Sequence, residues 1–282
     1  MHFQLVFTFF FFTTTLLANT VSVRLEGQFG NQLFQIATAY AYALDYDLTL
    51  TIPDLVHKRK DNIPYNANKL FLNKINSFTP KPPQLIWKER PFKYGKIPKV
   101  SSIELKGYFQ SEKYFIHRRK EILDLFEPSP SLKKVILEKY PILESNALVV
   151  GIQVRDYRKE SPDGSSYPTL TRNYYEQAIT YFPQDTIFLI SSNNPTYAKS
   201  CLDGLHQNLI YLKGEDYIEE FYTLTLCNSF IISNSTFGWW ASWLSTHPDK
   251  LVIAPYTWFS YPLNNETMRK DLLPPQYIAI AF

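Results

Sequence analysis

From Ala147 onward, short apolar and β-branched runs alternate with segments of helical periodicity, and this alternation limits the possible folds more than any other feature. Ala147–Val154, Thr186–Ile190, Leu209–Leu212, Phe230–Ile232 and Leu251–Ala254 read as strands, the last closing the series. Asn173–Phe182, Thr196–Leu202, Tyr217–Cys227 and Trp239–Ser245 read as helices. Strict β/α order implies a parallel sheet with helices on both faces, because a crossover between parallel strands needs a helix-length connection.

The opening of the chain repeats the theme. Val21–Leu25 reads as a strand and Glu26–Asn31 as a glycine-punctuated turn. Leu33, Phe34, Ala37, Tyr40, Ala41 and Leu44 then recur at helical spacing, and Leu48–Ile52 reads as a second strand. Residues 62–100 carry Pro64, Pro80, Pro82, Pro83, Pro91 and Pro98, which predicts a loop-rich insertion. The aromatics between Tyr65 and Tyr94 make it a candidate ligand-facing surface, and packing accounts for such aromatic loops equally often. Ile103–Phe109 reads as a strand end, and Glu112–Phe126 as a helix stopped by Pro128 and Pro130. The expected architecture is α/β, with two Rossmann-like domains and a cleft between them. Residues 21–143 form the first domain and 144–282 the second, with the boundary between Pro141 and Asn146.

With 282 residues, 45% of them hydrophobic, the chain can fill two cores. A formal charge of +3 offers no nucleic-acid signature. Cys201 and Cys227 support neither a disulfide framework nor a zinc site. Residues 1–20 are set apart. Phe3–Leu17 is almost wholly apolar or Thr, short for a membrane span and without the basic start of a signal peptide. Three readings stand: a poor signal, an anchor giving membrane association through residues 3–17, or an upstream extension. Cytoplasmic and membrane-associated locations both stay open.

Chemistry concentrates where strands end. Ser233-Asn234-Ser235-Thr236-Phe237 lies between a strand and a helix, where backbone N–H groups and hydroxyls attract anions. An ordinary Ser/Thr cap fits the same residues, and Asn234-Ser235-Thr236 also has the form of a glycosylation acceptor. Arg155 follows a buried-type strand and can clamp phosphate oxygens, or pair locally with Asp156. Asp156, Glu160 and Asp163 are candidate general bases. Asn31 and Gln32 sit at the first strand–helix turn, as ligand contacts or, for Asn31, as a cap. Asp216, Glu219 and Glu220 open a helix, where acidic residues complement the dipole and one carboxylate can reach a ribose or guanine. Asp45-Tyr46-Asp47 has the DxD form that holds a metal on a sugar nucleotide. His57 stands alone in a polar loop, and His117-Arg118-Arg119 reads as a solvated helix face.

Four segments together resemble the α-1,2-fucosyltransferases of glycosyltransferase family 11. They are Gly27-Gln28-Phe29-Gly30-Asn31-Gln32-Leu33-Phe34-Gln35, Gly107-Tyr108-Phe109-Gln110-Ser111-Glu112-Lys113-Tyr114-Phe115, Asn234-Ser235-Thr236-Phe237-Gly238-Trp239-Trp240 and Pro255-Tyr256-Thr257-Trp258-Phe259. Gly238 replaces the family's usual Ser. The family's HxRRxD segment is here Gln153-Val154-Arg155-Asp156, with Gln153 for the His and two residues missing before the Asp. The resemblance implies a GT-B-like fold and inverting transfer from GDP-fucose to a galactose-terminated glycan, with no metal and no other cofactor. It implies donor binding by Gly30, Asn31, Gln32, Asn234, Ser235, Thr236 and Phe237, to which the helix-opening Asp216 is added as a candidate ribose or guanine contact. Arg155 would stabilise the leaving diphosphate, and Asp156 is the nominal base. The eroded HxRRxD segment also fits a nucleotide-sugar-binding protein that has lost catalysis. Asp45 and Asp47 would serve a metal-dependent transferase.

Overall fold

The computed structural model describes residues 19–56, 74–90, 92–160, 166–214, 216–261, 263, 266 and 270–281. Phe3–Leu17, His57, Tyr65 and Asp163 lie outside the described residues, and no helix among the described residues is long and apolar enough to cross a membrane.

The first sheet is formed by β1 (Thr20–Val23), β2 (Thr49–Thr51), β3 (Leu85–Lys88) and β4 (Ser102–Lys106) in the order β2-β1-β4-β3, all pairs parallel. Helix α1 (Phe29–Tyr46) connects β1 to β2 and buries Leu33, Phe34, Ile36, Ala37 and Ala41. Gly27 enters this turn at φ 71, a left-handed conformation that costs glycine nothing. Strand β3 arises within the proline-rich stretch expected to be irregular. Among the described residues it pairs only with β4, and an edge position tolerates flanking prolines because half its backbone needs no partner.

The expected helix over 112–126 is instead two 3₁₀ turns, Glu112–Tyr114 and Ile116–Arg118, followed by α2 (Arg119–Leu125). Pro130, read as a helix stop, is the first residue of α3 (Pro130–Lys139), where a missing N–H is harmless and Ser129 Oγ caps Leu132 N–H at 3.2 Å. The turn Pro141–Glu144 leads into the second sheet.

That sheet contains β5 (Val149–Val154), β6 (Ile187–Ser192), β7 (Leu209–Tyr211), β8 (Ser229–Ile231), β9 (Val252–Pro255) and β10 (Ile278–Ile280), in the order β10-β9-β8-β5-β6-β7. Strand β10 follows the run expected to be last. Helices α4 (Arg172–Ile179), α5 (Pro195–Leu202), α6 (Tyr217–Thr225) and α7 (Thr236–Leu244) connect its earlier members. Counted from β5 as the first strand of this half, the order is the 3-2-1-4-5-6 of a dinucleotide-binding fold. The order reverses between β5 and β8, so the crossovers leave the sheet in opposite directions there and open a crevice at the strands' carboxyl ends.

An aromatic core joins the halves. Phe34 of α1 meets Trp239 and Trp240 of α7 at centroid distances of 4.4 and 4.9 Å, and Phe115 stacks on Trp240 at 5.3 Å. Arg119 lies 4.2 Å over the Trp243 ring and donates to Trp243 O at 2.8 Å. Lys250 adds bonds to Ser242 O and Ser245 O at 2.6 and 2.7 Å, so two basic side chains satisfy the last carbonyls of α7 while its positive end faces the crevice.

Candidate functional site

The carboxyl ends of β1, β4, β5, β6 and β8 converge on one cavity of about 370 Å³. A second cavity, behind α1 near Tyr40 and Ile75, has the same volume, so size does not single out the site. Position does: only the first opens at the switch point, and its wall includes Gly30, Asn31, Gln110, Arg155, Asn234 and Thr236.

Two helix starts meet there. A Cβ on Gly30 would lie 2.5 Å from Thr236 Oγ1 and 2.6 Å from its carbonyl carbon, so the missing side chain is what lets α1 abut α7. Both helices therefore present their positive ends to one cleft, a field suited to a diphosphate. Ser235 caps α7, accepting from Phe237 N at 3.3 Å. The cap and anion-site readings of this segment are compatible. The glycan-acceptor reading is not, because Asn234 is fully buried and its amide donates to Pro168 O and Trp258 O.

Arg155 extends from the end of β5. Its N–H is held by Ser233 Oγ at 3.0 Å, and its Nη2 donates to Glu160 Oε1 at 2.5 Å. Arg155 Nε, Gln153 Oε1 and Asn234 Oδ1 are buried without a hydrogen-bond partner among the described residues, and all three residues line the cleft. Buried polar atoms are rarely left unpaired, and three around one cavity mark where a polar ligand belongs.

Several expected site residues are placed elsewhere. Asp156 is 4% exposed and absent from the cleft wall. Arg158 grips it bidentately, Nε and Nη2 each at 2.8 Å, and Asn194 Nδ2 donates at 2.7 Å. The Arg158 hydrogen bonds hold its carboxyl well below the usual carboxylate range, so it is a poor proton acceptor as well as an inaccessible one. Glu160 does line the cleft. Gln32, expected at the donor, is buried and turns back to donate to Gly27 O at 3.0 Å, bracing the loop. Its neighbour Asn31 points the other way and accepts from Gln110 Nε2 at 2.8 Å in the cleft wall. Asn31 lies inside the helix rather than at its cap, which is Gln28.

Asp216 caps α6, accepting from Ile218 N and Glu219 N at 2.8 and 3.1 Å, and is not in the cleft wall. Of the three acidic residues there, Glu220 faces the cavity, with Ser191 Oγ donating to it at 2.6 Å and burial raising its carboxyl. Glu219 is buried against Lys139 at 2.7 Å. Phe29, Tyr217 and Phe237 form an aromatic wall beside Glu220, with Phe29–Tyr217 at 5.6 Å. The strand-end motif signalled Phe237, whereas Phe29 read only as part of a glycine-punctuated turn and Tyr217 only as the start of a helix.

Asp45 lies at the far end of α1, paired with His117 at 2.7 Å and Arg118 at 2.8 Å, and Asp47 caps the same end. Eighteen residues of helix span about 27 Å, too far for a metal on the DxD residues to touch a diphosphate at the cleft.

The chain matches the model of the family described as "Glycosyl transferase family 11" over residues 3–278. It belongs to that family. Among curated relatives, this family 11 protein is 24% identical to the "Alpha-1,2-colitosyltransferase" of Escherichia coli, over 92% of this chain and 98% of the relative. It is 26% identical to "Galactoside alpha-(1,2)-fucosyltransferase 2" of Oryctolagus cuniculus, over 92% and 76% respectively. Among solved structures it resembles NodZ alpha-1,6-fucosyltransferase soaked with GDP-fucose, with a TM-score of 0.51 at 15% identity, covering 80% of this chain and 92% of that one. A glycosyl transferase of family 9 from Veillonella parvula gives a TM-score of 0.51 at 10% identity, over 94% and 87%. At such identities the likeness is one of fold, and the fold is α/β and GT-B-like.

Proposed function

We propose that this family 11 protein moves L-fucose from GDP-fucose to the 2-hydroxyl of a terminal β-galactoside, with inversion at the anomeric carbon and no required metal. The observation that carries the reading is the convergence of Arg155 with the starts of α1 and α7 on the cleft at the β5/β8 switch point. As the glycosidic bond breaks, charge accumulates on the departing diphosphate. A guanidinium and two sets of fixed N–H donors stabilise that charge without reorganising. The relatives named for galactoside α-1,2-fucosyl and α-1,2-colitosyl transfer support the linkage.

In this reading the guanosine lies toward Tyr217, Phe237 and Glu220, whose carboxylate suits a ribose or guanine N–H or O–H. The diphosphate draws Arg155 away from Glu160. Glu160 is then free to accept the proton of the attacking hydroxyl while the acceptor oxygen bonds to C1 and GDP leaves. Asp156 fixes the loop after β5 through Arg158 and Asn194.

The test is fucose transfer to lactose or N-acetyllactosamine in EDTA. The expected result is an α-1,2-fucosylated product, with kcat falling about 10²–10³-fold in Arg155→Ala, the size of one lost transition-state donor. Product that appears only with added manganese overturns the metal-free mechanism. Gln153 and the shortened segment after it favour one rival, a silent GDP-fucose-binding protein. Binding without transfer or hydrolysis across an acceptor panel would establish that rival.

A further inference from the structure

Aromatic rings leave the cleft in a continuous row. Tyr157 stacks on Tyr167 at a centroid distance of 4.9 Å, Tyr167 meets Phe259 at 5.7 Å, Phe259 meets Phe92 at 4.6 Å, and Phe92 lies parallel to Tyr108 at 6.2 Å. Tyr157 and Tyr167 belong to the cleft wall, whereas Phe92 and Tyr108 come from the other sheet's half. The row therefore spans the rim between the two Rossmann-like units. Tyr167, Phe92 and Tyr108 are only half-buried, unlike the core pair Tyr174 and Tyr175, which are fully buried with both hydroxyls bonded.

The row is built at a conformational cost. Phe92 (φ 54) and Phe109 (φ 53), which follows Tyr108, are two of the three non-glycine residues with positive φ among those described. A bulky residue in that region is an outlier, and such strain persists where ligands bind because surrounding contacts enforce it. The enforcing contacts are present. Glu89 Oε2 accepts from Phe109 N at 2.7 Å, and Asp271 Oδ2 accepts from Tyr94 N at 3.1 Å. Asn234 Nδ2 donates to Pro168 O at 2.9 Å and Trp258 O at 3.0 Å, fastening the residues next to Tyr167 and Phe259. One cleft residue thus secures both loops that carry the inner rings.

We infer that this row is the acceptor site, and that it takes the apolar face of a pyranose, specifically a β-galactoside, on Tyr108, Phe92 and Tyr167. The inference rests on the donor reading above, since it locates the acceptor of the same transfer. Aromatic faces carry negative potential, and sugar C–H bonds are polarised positively by their oxygens. In galactose the axial 4-hydroxyl leaves C3–H, C4–H and C5–H contiguous on one face, an apolar patch of about one ring. At the row's inner end Gln110 and Glu160 offer partners to the hydroxyls on the sugar's edge.

The test is direct titration of methyl β-galactoside into the wild-type protein and the Tyr108→Phe, Tyr108→Leu and Tyr108→Gln variants, with and without GDP, followed by saturation-transfer NMR. Stacking predicts about fivefold to tenfold weaker galactoside binding in the Leu and Gln variants and less than about a twofold change in the Phe variant, the size of one aromatic contact. Saturation should pass from aromatic protons mainly to galactoside H3, H4 and H5. Circular dichroism of each variant identifies loss of fold, and Leu and Gln fail independently. Equal affinity in folded Leu and Gln variants overturns the assignment, as does wild-type protein that binds no galactoside in either state. A parallel GDP titration separates the two readings: GDP affinity unchanged in all variants leaves the donor site standing whatever the galactoside result, and wild-type protein that binds galactoside but no GDP sinks the donor reading and, with it, the assignment of the row as the acceptor site of this transfer.

Discussion

Gly238 lies against Gln153: a Cβ there would sit 3.1 Å from Gln153 Oε1 and 3.2 Å from both Gln153 Cβ and Ile232 Cβ. The two departures from the family pattern, glycine for Ser and Gln for His, are therefore neighbours, and Gln153 lines the cleft. The longer amide occupies room that the glycine leaves open.

That contact predicts coupling. Gly238→Ser should destabilise the fold by about 1–3 kcal/mol through overpacking and weaken GDP-fucose binding. Gln153→Ala should relieve much of the loss, so a double-mutant cycle read by denaturant unfolding should be clearly non-additive. Additive effects would mean the two positions do not share space.

Gly30→Ala tests the junction of the two helix starts. Its methyl group would meet the Thr236 backbone at 2.6 Å, which no rotamer change relieves. We expect a loss of about 1–3 kcal/mol or more, seen as a lower Tm, together with weakened GDP binding. Wild-type Tm and affinity would show that α1 can shift freely against α7.

Asp156 and Glu160 should separate stability from catalysis. Asp156→Asn weakens a bidentate pair whose carboxylate is buried but whose Arg158 side chain is 57% exposed, so the expected effect is a modest, salt-screened drop in Tm. Because the native carboxyl titrates below its ordinary 3.8, its contribution is complete above that pH and is lost as pH falls through the native value. Asp156→Asn should therefore lose most of its disadvantage in strong acid. Glu160, 47% exposed in its side chain, should behave oppositely: Glu160→Gln keeps its Tm and loses roughly a hundredfold or more in kcat. The reverse pattern would restore Asp156 as the base.

Glu89 carries the opposite pH sign. Burial pushes its carboxyl up to about 7 from an ordinary 4.5, against the N–H groups of Phe109 and Tyr108 and the Tyr114 hydroxyl, which favour the anion. The folded state therefore holds a proton that the unfolded state has released between those values. Stability should fall as pH rises from about 5 to 8, by no more than about 3 kcal/mol. Glu89→Gln should flatten that slope in denaturant titrations at the two pH values. An unchanged slope would assign the pH dependence elsewhere.

Much of the second half was legible because its order is written locally. The runs ending at Val154 and Ile232 need two buried faces, so they read as near-continuous apolar stretches, and Ser235 announces a helix start by its own chemistry. The misreadings share a cause. Strand β3 hides among prolines because an edge strand tolerates them, and Pro130 looks like a stop because the same ring that ends one helix can begin another.

Sequence by itself determined the parallel α/β architecture, the motifs that mark the family, and the strand ends at which its polar residues cluster. Those follow from hydrophobic period and local hydrogen-bonding capacity, which neighbouring residues decide among themselves. Only the tertiary structure decided which of those polar residues face the ligand. Asn31 and Gln32 are adjacent in one helix, yet roughly 100° of rotation sends one into the cleft and the other into the loop behind it. Arg158 claims Asp156 and leaves Glu160 exposed, and Glu220 rather than Asp216 reaches the cavity. Each outcome depends on which distant backbone group or charge arrives first, and no local pattern in the chain encodes that.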